Sequence, residues 1–139
     1  MNKSLLDTDT LSEIGKGKHA GIAARAKAYR NAFGYYSFSS VTVLEVVRGY
    51  QKAQQFQRPY AFMAGIGSEE VFPLDVPAAE LAGRITGDLE RIGQPIGRAD
   101  PMIAATAILQ GLELVTGNTA HYQRIHNLGY PLVLVNWRI

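Results

Sequence analysis

Residues 100–116 read DPMIAATAILQGLELVT, and this stretch predicts a buried helix followed closely by a short strand. Proline suits the first position of a helix, so Asp100-Pro101 marks the start. The body of the helix, Met102–Leu112, is apolar almost all round, which is typical of a helix that is covered on every side. Leu114–Thr116 predicts a strand and Gly117-Asn118 a turn. A buried helix that leads directly into a strand favours α/β architecture.

The rest of the chain alternates between helix and strand in the same way. Strands are predicted at Ser4–Leu6, about Tyr36–Thr42, Val71–Leu74 and Leu132–Val135. Helices are predicted over Thr10–Ala32 with a weak point at Gly15 and Gly17, from about Val43 or Leu44 through Tyr50 and beyond, over Pro77–Ile92, and as a single turn at Ala120–Ile125. This order predicts a three-layer α/β/α domain around a central, mostly parallel sheet of about four to five strands.

The composition excludes several classes of protein. With 139 residues, 47% hydrophobic and 19% charged, the chain has enough apolar material for one core, and we expect a single domain over residues 1–139. No apolar stretch approaches the roughly 20 residues of a membrane span, and Asp7 interrupts the N-terminal region before the apolar part of a signal peptide could form. The absence of cysteine excludes disulfides, thiolate zinc sites and a cysteine nucleophile. We therefore expect a cytoplasmic protein with no membrane partner.

Four polar side chains fall where the predicted strands end or the next helices begin. Asp7 follows the first strand, Glu45 opens the helix after the second, Asp100 opens the buried helix and Asn118 follows the fourth strand. Because the carboxyl ends of parallel strands share one edge of a sheet, we expect these side chains to converge there. Oxygen ligands without cysteine suit Mg²⁺ or Mn²⁺, which bind phosphates and activate water.

Each of these residues also has an ordinary structural explanation. Asp9 or Asp100 could cap a helix, Glu45 could stabilise the dipole of a first helical turn, and Asn118 is a common turn residue. Glu45, however, lies inside the apolar run Val43–Val47, where its carboxylate is expected to be partly buried. A buried charge needs a partner or a metal, which favours the functional interpretation.

Four segments of the chain resemble, in order and spacing, the motifs of PIN-domain ribonucleases, particularly the VapC-type toxins of bacterial toxin–antitoxin pairs. They are LLDTDTLSE at residues 5–13, SVTVLEVVRG at 40–49, IGRADPMIAATA at 96–107 and LVTGNTAHYQRI at 114–125. Together they extend over almost the whole chain. The resemblance implies a PIN-like fold and an Mg²⁺- or Mn²⁺-dependent endoribonuclease that leaves a 5′-phosphate and a 3′-hydroxyl.

The resemblance also assigns roles to the acidic residues. It implies that Asp7, Glu45 and Asp100 bind the metal, and that Asp7 or Asp100 helps to orient or deprotonate the attacking water. The family usually carries a further carboxylate about where His121 stands, so we expect one tightly held ion here, with Asn118 placing a water or a phosphate. His121 is either a contact to the substrate phosphate or a surface residue. Asp9 replaces an asparagine common in the family and is expected to support the site or cap a helix.

The resemblance implies an RNA substrate and a small VapB-like antitoxin that lies over the active-site groove, with DNA bound only through the antitoxin. Residues 16–30 contain six basic or histidine side chains and no acid, and we expect Lys16, Lys18 and Arg25 to contact the RNA backbone. A solvated helix face or an antitoxin contact would explain the same pattern. Toxins of this type commonly form homodimers. Six aromatic residues could pack in the core, form a dimer interface or form a surface for the antitoxin. They are Tyr35, Tyr36, Phe38, Phe56, Tyr60 and Phe62.

Two alternatives compete with a nuclease toxin. One is a catalytically disabled PIN-fold module that binds RNA or a protein, which the missing fourth acid favours. The other is a haloacid-dehalogenase-type phosphatase with Asp7 as nucleophile and Asp9 as acid. That chemistry needs a downstream lysine, whereas no lysine follows Lys52, and it leaves Glu45 and Asp100 unexplained.

Overall fold

The sheet of this protein consists of five short strands, seen in a computed structural model that describes residues 1–139. The strands are β1 (Ser4–Leu6), β2 (Ser37–Ser39), β3 (Glu70–Phe72), β4 (Glu113–Val115) and β5 (Leu134–Val135). One ladder has the order β1-β4-β5 and a second joins β2 to β3, and every pair is parallel. The predicted α/β class with a parallel sheet is confirmed.

Seven helices connect or flank these strands. They are α1 (Thr8–Lys16), α2 (Ala20–Phe33), α3 (Ser40–Lys52), α4 (Arg58–Gly65), α5 (Val76–Arg91), α6 (Ala99–Gln110) and α7 (Thr119–Asn127), with a short 3₁₀ helix at Ile66–Ser68 after α4. None of the seven combines the length and the hydropathy that a bilayer crossing requires.

The helices cover both faces of the sheet. Leu5 and Leu114 point to one face, where they join a buried cluster with residues of α5, α6 and α7 such as Ile103. Leu6 and Val115 point to the other face and join residues of α2 and the C-terminal Trp137. The alternation follows from the two-residue period of a strand. The predicted three-layer arrangement is therefore confirmed.

The helix predicted over residues 10–32 is two helices. Gly17 has φ +66°, in the left-handed region that glycine adopts at low cost, and its N–H bonds to the carbonyl of Glu13. This ends α1 at Lys16, at the weak point that the glycines indicate. A new helix then starts after His19, whose ring nitrogen accepts a hydrogen bond from the N–H of Ile22.

The strand predicted over residues 36–42 was too long. It contains only Ser37–Ser39, and α3 begins at Ser40 because the Ser39 hydroxyl accepts a hydrogen bond from the N–H of Val41 and caps the helix. The β-branched residues Val41, Thr42 and Val43 are thus helical. Helix α4 was not predicted, and α7 runs to nine residues where a single turn was expected.

The edge of β1 that faces β2 has no backbone ladder, and a side chain occupies it instead. The hydroxyl of Tyr29 accepts a hydrogen bond from the N–H of Ser4 at 3.0 Å and donates one to the Ser4 carbonyl at 3.2 Å. Tyr36 and Phe38 are buried beside it, whereas Phe56 and Tyr60 are exposed. The aromatic residues therefore divide between core and surface.

Helix α6 lies at the centre of the core. Shortening a buried side chain on this helix tests how much it contributes to stability. Ile103 has no exposed surface, so Ile103→Ala should lower the free energy of unfolding by about 2–5 kcal/mol through lost burial and a residual cavity. Leu109→Ala, on the same helix but 48% exposed, should cost less than about 1 kcal/mol. Urea unfolding of both variants measures the difference, and equal losses would contradict this view of the core.

Candidate active site

Asp7 is the most constrained acid of the protein. It follows β1 directly and its side chain caps α1, with Oδ1 accepting a hydrogen bond from the N–H of Thr8 at 2.9 Å. The hydroxyl of Thr116, which follows β4, donates to Oδ2 at 2.7 Å. Only 5% of the residue is exposed. The Asp7 carboxylate is thus fixed by three parts of the fold, namely the end of β1, the start of α1 and the end of β4.

Asp100 lies next to Asp7, and one tyrosine contacts both. The hydroxyl of Tyr122, on α7, lies 3.0 Å from Asp7 Oδ1 and 3.2 Å from Asp100 Oδ1. Helix α6 begins at Ala99, so Asp100 and Pro101 lie in its first turn, and Arg98 occupies the cap position without a side-chain bond. The capping explanation of Asp100 is therefore wrong, and so is the placement of Pro101 at the first helical position.

Glu45 reaches the same site from α3. Because α3 begins at Ser40, Glu45 lies in its second turn and not in the first, so the helix-dipole explanation does not apply. Its Oε1 accepts a hydrogen bond from the hydroxyl of Thr8 at 2.6 Å, and Thr8 Oγ1 lies 3.0 Å from Thr42 Oγ1. The residue is half-buried, as the apolar run around it predicts.

Asp9 does not cap a helix, since Asp7 takes that role. Its Oδ2 accepts a hydrogen bond from the N–H of Gly117 at 3.0 Å and so joins the first turn of α1 to the loop after β4. A Cβ at Gly117 would lie 3.0 Å from this oxygen and 3.0 Å from Nε of Arg138, so a larger residue would push on the Asp9 side chain. Asp9 supports the site from one side.

Asn118 and His121 border the site where the chain passes from β4 into α7. Asn118 holds the cap position of α7 without a side-chain cap bond, and its Nδ2 lies 3.0 Å from Nδ1 of His121. The same ring nitrogen lies 3.7 Å from Asp100 Oδ2. His121 is thus beside the acids, and its half-exposed ring is open to solvent.

The acids repel one another, and their pKa values reflect this. Burial, with the nearby charges of Asp9 and Asp100, raises the pKa of Asp7 to about 7. Burial and then the charge of Glu45 raise the pKa of Asp100. Burial and the charges of Asp7 and Asp100 raise the pKa of the Tyr122 phenol well above its ordinary value, so it remains a donor. The site carries more negative charge than its own groups compensate.

A hard divalent cation is the ligand that this donor set suits. No three of its acidic or histidine side chains form a ready-made coordination cage. Nevertheless Asp7, Glu45 and Asp100 come from three different elements to one place, and the raised pKa values of Asp7 and Asp100 come partly from repulsion that a cation would remove. Carboxylate oxygens are the ligands that Mg²⁺ and Mn²⁺ prefer.

The predicted basic contacts lie outside the acidic cluster. Lys16 and Lys18 are exposed near the end of α1, with Lys16 Nζ 3.7 Å from Glu13 Oε1. Arg25 is exposed on α2 and donates a hydrogen bond to the carbonyl of Asn136 at 3.0 Å. None of the three forms a hydrogen bond or an ion pair with Asp7, Glu45 or Asp100.

A groove of about 1010 Å³ runs along α1, α3 and α4. Basic side chains on its walls are Lys16, Lys18 and Arg58, and apolar ones include Leu11, Ile14, Val46 and Phe62. Two of its three helices also hold the acidic site, since Asp7 caps α1 and Glu45 lies on α3. The groove is thus an apolar surface bordered by three basic residues and by Glu69, and it shares helices α1 and α3 with the acids.

Three hydroxyl residues of the site, Thr8, Thr116 and Tyr122, were missed by the sequence analysis. For Tyr122 a signal exists, because it lies three residues before Ile125 on the buried face of α7 and a buried phenol needs a hydrogen-bond partner. For the two threonines we find no such signal, since each bonds to a residue more than thirty positions away.

Comparison with known proteins gives consistent matches. Residues 4–126 match the family described as PIN domain. The chain is 36% identical over 129 residues to the tRNA(fMet)-specific endonuclease VapC of Shigella flexneri, covering 92% of this chain and 96% of that protein. It is 31% identical over 127 residues to Ribonuclease VapC2 of Haemophilus influenzae, covering 90% and 93%. The crystal structure of DNA-bound VapBC from Salmonella typhimurium is similar with a TM-score of 0.79 and 32% identity over 99% of each chain.

The raised pKa of Asp7 predicts a pH-dependent gain in stability when its charge is removed. The carboxyl ionises near pH 3.8 in the unfolded chain and near pH 7 in the folded one. Between these values the folded state binds more protons, so its stability falls as pH rises. In metal-free buffer, Asp7→Asn should exceed wild type by on the order of 2 kcal/mol at pH 8 and lose this advantage by pH 4.

Urea unfolding across this pH range measures the effect. Asp88→Asn is the control, because hydrogen bonding to Tyr130 lowers the pKa of half-buried Asp88, and no gain is expected. If Asp7→Asn is no more stable than wild type at pH 8, the negative charge at Asp7 does not destabilise the folded state as we infer.

Proposed function

Because this chain belongs to the PIN-domain family, we propose that it is a VapC-type endoribonuclease toxin that hydrolyses cellular RNA with a divalent metal ion. The observation that carries the proposal is the convergence of Asp7, Glu45 and Asp100, joined through Tyr122 and Thr8, at the carboxyl ends of the strands. Relatives with 31–36% identity over at least 90% of this chain are named as endonucleases or ribonucleases, which supports the same chemistry. Such a toxin would act in the cytoplasm as a single domain over residues 1–139.

Asp7, Glu45 and Asp100 are the residues that would hold Mg²⁺ or Mn²⁺. When bound, the ion supplies a Lewis acid that polarises a phosphate oxygen and lowers the pKa of a water. Asp100 is more exposed than Asp7 and is the better placed of the two to orient the attacking water and accept its proton. Asn118 and His121 border the open side, where an amide or imidazole nitrogen could donate a hydrogen bond to the scissile phosphate.

The substrate we propose is a loop of a structured RNA. The Shigella relative is named for tRNA(fMet), so the initiator tRNA is the first candidate, with other tRNA and ribosomal RNA loops next. Single-stranded loops expose both backbone and bases to a protein, as a cut inside an RNA requires. Lys16, Lys18 and Arg25 are exposed and would contact the phosphates that flank the cut.

An antitoxin is the second partner in this proposal. The Salmonella structure contains VapB with VapC on DNA, and its similarity to this chain supports a comparable complex here. The apolar groove with its basic border offers a surface for a segment of such a partner. Exposed apolar side chains on and before α4, such as Tyr60 and Met63, extend that surface. DNA would be reached only through the antitoxin, and we expect the toxin itself to form a homodimer.

Membership of the PIN family disfavours the phosphatase alternative, which also left Glu45 and Asp100 without a role. A disabled binding module is the remaining competitor, because His121 stands where the family usually has an acid. Cleavage of RNA by the purified protein with Mn²⁺ separates the two.

Removing one carboxylate tests the nuclease directly. Asp7→Asn or Asp100→Asn should lower the rate of RNA cleavage at least about a hundredfold, because a proposed metal ligand is lost. Induced expression of the wild type should arrest growth and produce discrete RNA ends, and either variant should abolish both. Asp88→Asn, at a half-buried aspartate outside the site, is the matched control and should behave as wild type. Full activity in a folded Asp7→Asn variant would contradict the site, and arrest without cuts in both proteins would favour a binding module.

Neutralising the basic residues beside the site should weaken RNA binding without affecting the chemical step. For the double variant Lys16→Gln, Lys18→Gln, we expect KM to rise several-fold at constant kcat. The slope of log affinity against log salt should fall by about 1.4 if both lysines contact phosphates of a single strand. The control is Arg84→Gln, Arg91→Gln, at two exposed arginines that pair with Glu80 and Asp88 on α5. Equal changes in KM and in the salt slope for the two double variants would mean that RNA binding depends only on the net charge of the protein.

A further inference from the structure

Tyr122 is the one side chain that hydrogen-bonds to two of the proposed metal ligands. Its hydroxyl lies 3.0 Å from Asp7 Oδ1 and 3.2 Å from Asp100 Oδ1. No other side chain lies within hydrogen-bond distance of both acids. The two carboxylates come from elements 93 residues apart in sequence, so their relative position depends on what joins them in space.

The hydrogen bonds of Asp7 show which of its oxygens is left for a ligand. An ionised carboxylate oxygen accepts about two hydrogen bonds. The N–H of Thr8 and the hydroxyl of Tyr122 both bond to Oδ1, which is then fully used. Oδ2 receives only the hydroxyl of Thr116 and keeps one lone pair free. On Asp100 the phenol likewise bonds to Oδ1, while Oδ2 has no bond shorter than the 3.7 Å contact to His121. The single phenol proton is thus shared between one oxygen of each acid, and the other oxygen of each acid stays available.

Packing alone does not account for the hydroxyl. The ring of Tyr122 is fully buried in the core cluster with Ile125, and phenylalanine would fill nearly the same space. A buried hydroxyl needs partners, and here the partners are the two acids and nothing else. Because Tyr122 is fully buried, its hydroxyl is a fixed point against which both carboxylates are held.

We propose that Tyr122 is a positioning residue, whose hydroxyl fixes the separation and orientation of Asp7 and Asp100 for the metal ion. The inference rests on the proposed function, since it assigns a role toward the same cation. Groups that hydrogen-bond to metal ligands commonly change metal affinity by about 10–100-fold when they are removed. Because its side chain is fully buried, Tyr122 acts only through the two acids.

The experiment compares three residues at position 122 that differ at the para position of the ring. Tyr122→Phe removes the oxygen. Replacement of Tyr122 by 4-fluorophenylalanine fills its volume without a donor, which keeps the test usable if the small void left by phenylalanine prevents folding. Replacement by 4-aminophenylalanine restores a donor, with two N–H groups for the two carboxylates. Tyr130→Phe is the control, because it removes a tyrosine–aspartate hydrogen bond, to Asp88, outside the site.

The first readout is Mn²⁺ affinity by titration calorimetry on the folded, RNA-free protein. We expect the phenylalanine and 4-fluorophenylalanine proteins to bind Mn²⁺ at least about tenfold more weakly than wild type. The 4-aminophenylalanine protein and Tyr130→Phe should remain within about threefold of it. In cleavage assays at fixed Mn²⁺, kcat should fall with the lost affinity while KM for RNA stays within about twofold.

Each other outcome has a definite meaning. Wild-type Mn²⁺ affinity in the phenylalanine and 4-fluorophenylalanine proteins overturns the positioning role, and the nuclease proposal survives if the wild type cleaves RNA. Equal loss of affinity in all three proteins assigns the effect to packing and also overturns it. A wild-type protein that neither binds Mn²⁺ nor cleaves RNA, with Asp7→Asn unchanged from it, overturns the proposed function and this inference together.

Discussion

The burial of negative charge at Asp7 is the constraint on which the rest of the site depends. Its carboxylate has almost no access to water, yet three hydrogen-bond donors are arranged around it to receive a charge. An ion removed from water costs several kcal/mol unless a partner compensates it. Those donors reduce the cost, but Asp9 and Asp100 add repulsion, and the pKa of the carboxyl still rises to about 7. The fold therefore holds a group that is unfavourable for stability and useful for binding a cation.

The sequence was sufficient to predict the layered architecture and the main acids. Short apolar strands between amphipathic helices predict a parallel sheet with helices on both faces, and the ends of parallel strands meet at one edge. That logic places Asp7, Glu45 and Asp100 together without knowledge of any contact. It works because the burial pattern of each element is local, as in the nearly continuous apolar run of α6.

Element boundaries were less predictable, because capping competes with intrinsic propensity. The residues Val41-Thr42-Val43 favour a strand by type, yet the hydroxyl of Ser39 starts a helix before them. The error of three or four residues in the start of α3 also changed how Glu45 is interpreted. With α3 starting at Ser40, Glu45 is moved from the first turn to the second, where a dipole explanation no longer holds.

The contacts of the site could not be predicted, because they join distant parts of the chain. Tyr122 meets Asp7 across 115 positions and Asp9 meets Gly117 across 108. Such contacts depend on how the helices pack on the sheet, and the hydrophobic periodicity of the sequence does not indicate that packing. The exclusion of a capping role for Asp100 likewise needed the position of the first turn of α6, which begins two residues earlier than the sequence indicates.

The two separate ladders of the sheet have a mechanical consequence. Asp7 and Asp100 belong to the half built on β1, β4 and β5, whereas Glu45 follows the half built on β2 and β3. Across that seam the backbone strands are not bonded to each other. The Thr8 hydroxyl contacts Glu45 and Thr42, Lys3 pairs with Glu70, and one buried cluster packs side chains of both halves together. The distance between Glu45 and the other two acids is therefore set by side-chain contacts and packing between the two halves, and not by the register of a strand ladder.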